Sequence, residues 1–507
     1  MPELLSVDLG DWVARRAVTH SDTLAVECNG EALTYADLEA RVAPAAGRLA
    51  ALGIAPGEPV GLLHANGNGF AVFAHAITRA GGMLAPHNAR LTAGEIAWQL
   101  RDAGARYLIA DADHLEQARA AAAEAGVTLL PADDQAWHTA TPLVGSTSIP
   151  FEQPHSVIYT SGTTGRPKGA VLTHGNFYWS AVASAANLGV EAADRWLACL
   201  PLYHVGGLSI LLRSAIYGTT AVIHERFDEA RVVRSVREER VSLLSVVANM
   251  LQRMYALDDA PYPSTLRAVL LGGGPAPRPL LEASAARGVP VLQTYGLSET
   301  ASQVATLSSA DALRKLGSAG LPLPGTTVRI EVATAEGVSA EAASGEIGEI
   351  VVSGPTVCAG YLGRPEATAE AIRDGWLHTG DLGYLDDEGY LYVADRRDDL
   401  IVSGGENVYP AEVESALLAF AGVEECAVVG IPDERWGALV VAVVVPAAGT
   451  GGLDVAAIDA HLRARLAAYK VPRRIEVGTD ALPRTASGKV QRHLVRARLT
   501  EDHHASD

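Results

Sequence analysis

Short apolar strands alternate with capped amphipathic helices along most of this chain, and that alternation limits its fold more than any other feature. Thr34 opens an apolar-periodic run with Asp37 three residues on, and Thr92 stands in the same relation to Glu95. A hydroxyl at the helix start and an acid at the third helical position satisfy two orphan backbone N–H groups, so both read as helix N-termini. Apolar runs of strand length follow at Val60 to Leu63, Tyr107 to Ala110 and Leu266 to Leu271. Such alternation predicts an α/β fold with parallel-rich sheets flanked by helices. The Ala-rich, polar stretch His114 to Ser148 is expected to form a helix and a surface loop. The texture changes between Asp395 and Asn407, where charges crowd ahead of Ser-Gly-Gly-Glu-Asn. Beyond it, strands are expected at Ala427–Gly430 and Leu439–Val445, and a helix near Ala456–Ala467. The expected organisation is a large N-terminal domain, residues 1–397, and a small α+β C-terminal domain, residues 398–507, of about 110 residues.

Charge and cysteine usage exclude several function classes. The 507 residues carry 40 Lys+Arg against 59 Asp+Glu, a formal charge of −19. A dedicated nucleic-acid binder or anionic-membrane binder needs a basic face, so neither is expected, and only local basic sites for phosphate-bearing ligands remain. Cys28, Cys199, Cys358 and Cys426 form no C-x-x-C pair, which argues against a disulfide framework or structural zinc and suits a reducing, cytoplasmic setting. The opening Met-Pro-Glu-Leu-Leu-Ser-Val-Asp lacks an apolar core of signal-peptide length. The longest near-apolar run, Ala438 to Val445, is too short to span a bilayer and reads as a buried strand, so no membrane insertion is expected.

The densest local chemistry lies in Tyr159-Thr-Ser-Gly-Thr-Thr-Gly-Arg-Pro-Lys168-Gly169. Gly162 and Gly165 allow a tight backbone that exposes N–H groups. The hydroxyls of Thr160, Ser161, Thr163 and Thr164, with the ammonium of Lys168, can then meet phosphate oxygens. This is not a Walker A loop, because Lys168 is followed by Gly rather than Ser or Thr. A lone glycine–threonine turn would more often be plain surface; the number of hydroxyls and the Lys favour a phosphate cradle.

The loop resembles the signature of the adenylate-forming superfamily, which includes acyl-CoA synthetases, peptide-synthetase adenylation domains and beetle luciferase. Further segments in the same order carry the resemblance across nearly the whole chain. They are Pro201-Leu-Tyr-His204, Gly272-Gly-Gly-Pro-Ala-Pro277, Tyr295-Gly-Leu-Ser-Glu299-Thr300, Thr379-Gly-Asp381, Asp395-Arg-Arg-Asp398, Ser403-Gly-Gly-Glu-Asn407 and Pro483-Arg-Thr-Ala-Ser-Gly-Lys489. The resemblance implies that Gly273, Gly274, Pro275, Thr294, Tyr295 and Gly296 join the loop in binding ATP or AMP, with the Tyr295 ring stacked on adenine. It implies that Asp381 accepts from the ribose hydroxyls, with Arg396 as a second contact. Glu299, a hard oxygen ligand beside Thr300, would hold Mg²⁺ on the triphosphate. His204 would line the acyl pocket and abut the reacting carboxylate. Lys489 would reach the reacting phosphate, and the small domain would rotate about a hinge at Asp398. Taken singly, these residues have plainer readings: a strand-end aromatic, a turn aspartate, a core histidine, a solvated lysine.

Within the superfamily, the segments around His204, Ile216-Tyr-Gly218, Glu299 to Leu307 and Lys315 to Gly320 resemble the 2-succinylbenzoate–CoA ligases of menaquinone synthesis. Ser209, Ser302, Gln303 and Ser318 would make a polar acyl pocket suited to a keto diacid. Gly206 departs from that pattern, since members often carry Ser there. The resemblance implies an AMP-forming acid–thiol ligase using ATP, CoA and Mg²⁺, with small-molecule partners and room for a homodimer. The alternative is an acyl-CoA synthetase for another aryl or fatty acid. A peptide-synthetase domain is disfavoured because the pocket shows no Asp for an α-ammonium. A nucleotide sensor is disfavoured because it would not need Lys489.

Overall fold

The computed structural model describes residues 9–160, 167–274, 276–333, 339–396, 399, 401–403, 406–408, 410–433, 436–447, 452–466, 468–478, 480–484 and 490–504. Two large sheets dominate the N-terminal part. A seven-stranded sheet runs in the order Gly360–Tyr361, Lys168–Thr173, Pro154–Thr160, Met83–Pro86, Pro59–Leu63, Tyr107–Ala110, Thr128–Pro131. A nine-stranded sheet has the parallel strands Val291–Leu297, Ala268–Gly272, Leu243–Val247, Arg195–Ala198, Thr220–Ile223 and Leu24–Cys28 at its centre. Antiparallel strands edge it, Ser302–Leu307 among them. A third, antiparallel sheet holds Thr327–Ala333, Gly348–Ser353, Trp376–Leu385 and Leu391–Arg396.

The expected capping boxes are both formed. Thr34 Oγ1 accepts from Asp37 N–H at the start of the helix Tyr35–Ala51, and Thr92 does so from Glu95 N–H at the start of Ala93–Ala103. The strand expected at Leu266 to Leu271 is Ala268–Gly272. The stretch His114 to Ser148 contains more than a helix and a loop. After the helix Leu115–Ala125, Thr128–Pro131 adds a parallel edge strand to the seven-stranded sheet, because Leu129 and Leu130 pair with Leu108 and Ile109.

One core binds the two large sheets. Val60, Leu62, Leu84 and Ile158 of one join Val26, Ala221 and Ile223 of the other, through helices carrying Leu38, Phe70 and Leu211. The C-terminal part has separate cores. One surrounds Ile401, Val413, Val428 and Ile458, and another surrounds Val429, Val443, Val495 and Leu499. Its long hairpin, Val423–Asp433 with Gly437–Pro446, contains both expected strands, and the expected helix is Val455–Arg463. All four cysteines are buried and free. No described helix is long and apolar enough to cross a membrane.

A buried histidine cluster underlies the N-terminal helix Trp12–Thr19. His155 and His174 meet edge to face at 4.8 Å, and Trp12 lies 5.8 Å from His155. Asp11 caps the helix through Ala14 N–H and pairs with Arg79, which also grips Glu39. Burial lowers His75 and His174 to about 4 and holds His155 well below the ordinary range. The unfolded chain therefore binds more protons than the folded chain between an ordinary histidine pKa of about 6.5 and these lowered values. Stability is then full above that ordinary value and falls as pH drops toward 4. Urea midpoints followed by tryptophan fluorescence should decline steadily from pH 7 to pH 5. A flat profile would show that these rings titrate freely in the folded chain.

Candidate active site

The hydroxyl-rich loop is the connection of a β-hairpin. Pro154–Thr160 pairs antiparallel with Lys168–Thr173, and Thr160 faces Lys168 at the loop's feet. Thr160 Oγ1 donates to Lys168 O at 3.3 Å. Ser161, Gly162, Thr163, Thr164 and Gly165 lie outside the described residues. Tyr159 braces one foot, donating to Asp102 Oδ2 at 3.0 Å, and Arg364 pairs with the same carboxylate. Burial, with Asp102 adding, raises the Tyr159 phenol well above its ordinary range.

The glutamate stands beside this hairpin. Ser298–Thr300 forms one 3₁₀ turn after the strand Val291–Leu297. The Thr300 hydroxyl is buried and committed to the turn: it donates to Leu297 O and accepts from Leu297 N–H, each at 3.1 Å. Glu299 Oε1 accepts from the Tyr361 phenol at 3.0 Å, and the Lys168 ammonium lies 5.3 Å from the centre of the same ring. No cluster of three or more His, Cys, Asp or Glu side chains able to hold a metal occurs among the described residues. A lone carboxylate beside a phosphate loop fits Mg²⁺, which keeps waters and takes phosphate oxygens for its remaining positions.

Tyr295 and Asp381 come together from different sheets. The Tyr295 phenol donates to Asp381 Oδ2 at 2.6 Å, and Asp381 is buried. Asp381 N–H donates to Thr379 Oγ1, and its backbone pairs with that of Arg396, which is described by its backbone alone. Gly296 is required by packing, since a Cβ there would sit 1.6 Å from Ser302 O. Gly273 turns with φ +85° at the end of Ala268–Gly272, and Gly274 faces open space. Thr294 Oγ1 donates to Ala305 O across the sheet and accepts from Gln303 Nε2 at 3.3 Å. Pro275, Asp398 and Lys489 lie outside the described residues. The feet of the Lys489 loop are closed by an antiparallel bridge between Arg484 and Val490.

His204 caps the helix Val205–Tyr217 by backbone, with its ring against Tyr203 at 4.7 Å. Ser209 on that helix is buried, and its hydroxyl has no hydrogen-bond partner among the described residues. Ser302 follows Ala301, and both have positive φ, which sets the turn after Thr300. Gln303 is buried against Thr294 and Thr306. Ser318 is buried and its hydroxyl is engaged by backbone. Its hydroxyl donates to Leu391 O at 2.8 Å and accepts from Gly320 N–H at 2.9 Å, so it ties a loop to the third sheet.

Two residues at these sites escape sequence reasoning. Tyr361 joins Lys168 to Glu299 from a two-residue strand. Arg213, one helical turn after Ser209, is 3% exposed and donates to Ser180 Oγ at 2.9 Å. Ser180 in turn donates to Ala301 O at 2.7 Å, beside Ser302. Arg213 has no carboxylate partner among the described residues, its Nε makes no hydrogen bond there, and burial lowers its pKa. The signal for Arg213 was a cation inside a helix, Val205 to Tyr217, whose other residues are uncharged and mostly apolar.

Residues 13–362 match the AMP-binding enzyme family, and residues 412–489 match the AMP-binding enzyme C-terminal domain. The chain belongs to the AMP-binding enzyme family. It is 47% identical over 490 residues to a 2-succinylbenzoate–CoA ligase of Geobacillus kaustophilus, covering 96% of this chain and 97% of that one. It superimposes with a TM-score of 0.89 on the o-succinylbenzoate CoA synthetase of Bacillus subtilis in complex with its acyl-adenylate intermediate, at 39% identity, covering 97% and 98% of the two chains. The same Bacillus subtilis enzyme in complex with ATP and magnesium gives a TM-score of 0.88 at 38% identity, covering 96% and 99%. Among AMP-binding enzymes, then, the likeness extends over 97–99% of the length of these ligases.

The packing at Gly296 is testable. Gly296→Ala would drive a Cβ into Ser302 O, and a clash with backbone cannot be relieved by rotating a side chain. It should lower the melting temperature by several degrees or prevent folding. Gly274→Ala has open space and should melt with the wild type.

Proposed function

We propose that this AMP-binding enzyme converts 2-succinylbenzoate to its CoA thioester through an acyl-adenylate, releasing pyrophosphate and then AMP. The observation that carries this reading is Arg213: a guanidinium buried without a carboxylate, next to Ser209 and the Ala301–Ser302 turn. Arg213 also faces the Trp196 ring at 5.6 Å, but no anion balances it among the described residues; a buried charge without a counter-ion costs several kcal/mol, so the site favours a ligand that brings one. 2-Succinylbenzoate carries two carboxylates. One reacts, and the ring carboxylate remains to be balanced, by Arg213 with Ser209 and Ser302 nearby.

Both reactants of the first step are anions. The succinyl carboxylate attacks the α-phosphorus of ATP, the bond to the bridging oxygen breaks, and pyrophosphate leaves. Lys168 and the loop bind the phosphates, Asp381 orients the ribose, Tyr295 stacks on the base with Gly273, Gly274 and Pro275 completing the nucleotide site, and His204 abuts the reacting carboxylate. Glu299 would hold Mg²⁺, which supplies charge neutralisation on the triphosphate. In the second step the CoA thiol, giving up its proton to solvent, attacks the acyl carbon, the bond from that carbon to the phosphate oxygen breaks, and AMP leaves. The unit of residues 1–397 binds ATP and acid. The unit of residues 398–507 carries Lys489 and turns about Asp398 between the steps. ATP and CoA are cytoplasmic metabolites, and the enzyme is assigned to that compartment.

A second reading, a CoA ligase for another aryl or fatty acid, is favoured by Gly206 alone. A Cβ there would meet only Leu200 Cδ1 at 3.7 Å, so the missing side chain is not forced by packing.

The two readings separate in a pyrophosphate-release panel of acids with and without CoA. 2-Succinylbenzoate should lead it, and a tenfold preference for a fatty acid or simple benzoate in kcat/KM, about 1.4 kcal/mol, would sink the first reading. Arg213→Met should abolish the preference for 2-succinylbenzoate over its analogue lacking the ring carboxylate, while the analogue is turned over nearly as before. Lys489→Ala should slow adenylate formation by about 10²–10³-fold and spare thioester formation from preformed adenylate. Equal slowing of both steps would contradict the assignment of Lys489 to one domain orientation.

A further inference from the structure

Glu299 and Lys168 carry opposite charges into one cleft, and both must be available there: the carboxylate for a metal-bound triphosphate, the ammonium for phosphate oxygens. Left to themselves they would pair. No ion pair joins them among the described residues, and the group between them is Tyr361. Its phenol donates to Glu299 Oε1 at 3.0 Å and its ring face lies under the Lys168 ammonium at 5.3 Å. An aromatic face attracts a cation, and a phenolic O–H binds a carboxylate, so a single side chain satisfies both while keeping them apart.

The ring is held firmly. Tyr361 pairs with Ala170 in the hairpin sheet, flanked by Ala359 N–H to Val171 O at 2.9 Å and Leu362 N–H to Gly169 O at 2.8 Å. Its own N–H donates to Thr368 Oγ1 at 2.9 Å. Gly360 before it has φ +127°, and a Cβ there would lie 2.4 Å from Thr368 Cγ2, so the strand enters at a fixed angle. Cys358 N–H donates to Glu299 O at 2.7 Å, fixing the backbone of the glutamate from the same segment.

We propose that Tyr361 is a positioning residue. It fixes one carboxylate oxygen of Glu299 so that the other meets the metal of metal–ATP, and it prevents Glu299 and Lys168 from neutralising each other before ATP arrives. The proposal rests on the ATP chemistry assigned above but not on the identity of the acid.

The test uses full-length protein, Mn²⁺ as the metal and α,β-methylene ATP, with free Mn²⁺ read by electron paramagnetic resonance and AMP binding by calorimetry. Tyr361→Phe keeps the ring and loses the O–H. It should raise the Mn²⁺ half-saturation by about three- to tenfold and leave AMP affinity within about twofold, since AMP engages no metal. Tyr361→Leu also removes the ring and should weaken Mn²⁺ further. Should it fold poorly, the Phe variant carries the test. Wild-type Mn²⁺ binding by Tyr361→Phe, or a parallel loss of AMP affinity, would overturn the proposal. Glu299→Gln separates it from the parent reading. Unchanged Mn²⁺ binding there removes the metal assignment of Glu299, and the proposal with it. Weakened binding there, with none in Tyr361→Phe, removes only the role of Tyr361.

Discussion

The segment from Pro355 to Leu362 is the seam on which the site depends. It leaves the third sheet after Gly348–Ser353 and is caught at once by Asn176, whose Nδ2 donates to Pro355 O and Val357 O. Cys358 then fastens the backbone of Glu299 at the edge of the nine-stranded sheet, and Ala359 and Leu362 fasten the hairpin of the seven-stranded sheet. Three sheets are thereby joined within a few residues. The phosphate loop and the glutamate lie about 140 residues apart in sequence, and the relative position of two such groups is only as rigid as the contacts that join their elements.

The chemistry assigned to the cleft sets the second constraint. A carboxylate must approach a polyphosphate, so positive charge has to be supplied without being spent on the protein's own acids. The −19 formal charge makes this harder, since long-range steering of anions is unfavourable. Local cations must act at close range, in surroundings where water screens them little. Arg213 is buried beside the neutral Ser180 hydroxyl, and the Lys168 ammonium lies over an aromatic face.

Where the fold was legible in the chain, it is encoded locally. Capping boxes at Thr34 and Thr92 announce themselves within four residues, and the hydroxyl loop, Gly272 to Gly274 and Thr379 to Asp381 are contiguous runs. The strand Thr128–Pro131 was not legible: it has only four residues and becomes a strand by pairing with Tyr107–Ala110. Ser318 shows its bond to Leu391 O only once the fold brings that carbonyl to it from 73 residues away. Tyr361 and Arg213 escaped for the same reason. A tyrosine after a glycine and an arginine within a helix acquire meaning only from Glu299, Lys168 and Ser180, which the fold delivers from distant positions. What sequence alone conveys is which residue types occur in a motif, and what it leaves to folding is which of them meet.

The burial of all four cysteines has a chemical consequence for an enzyme proposed to handle a free thiol. Burial pushes the Cys199 and Cys358 thiols up to about 12, with Glu299 adding to the effect at Cys358, and holds Cys426 well above its ordinary range. Cys28 is raised as well. Exchange with a disulfide requires a thiolate with access to the attacking sulfur, and here both are suppressed. A CoA disulfide would find no ready partner among these four buried cysteines. Burial thus guards these four thiols against exchange with any external disulfide.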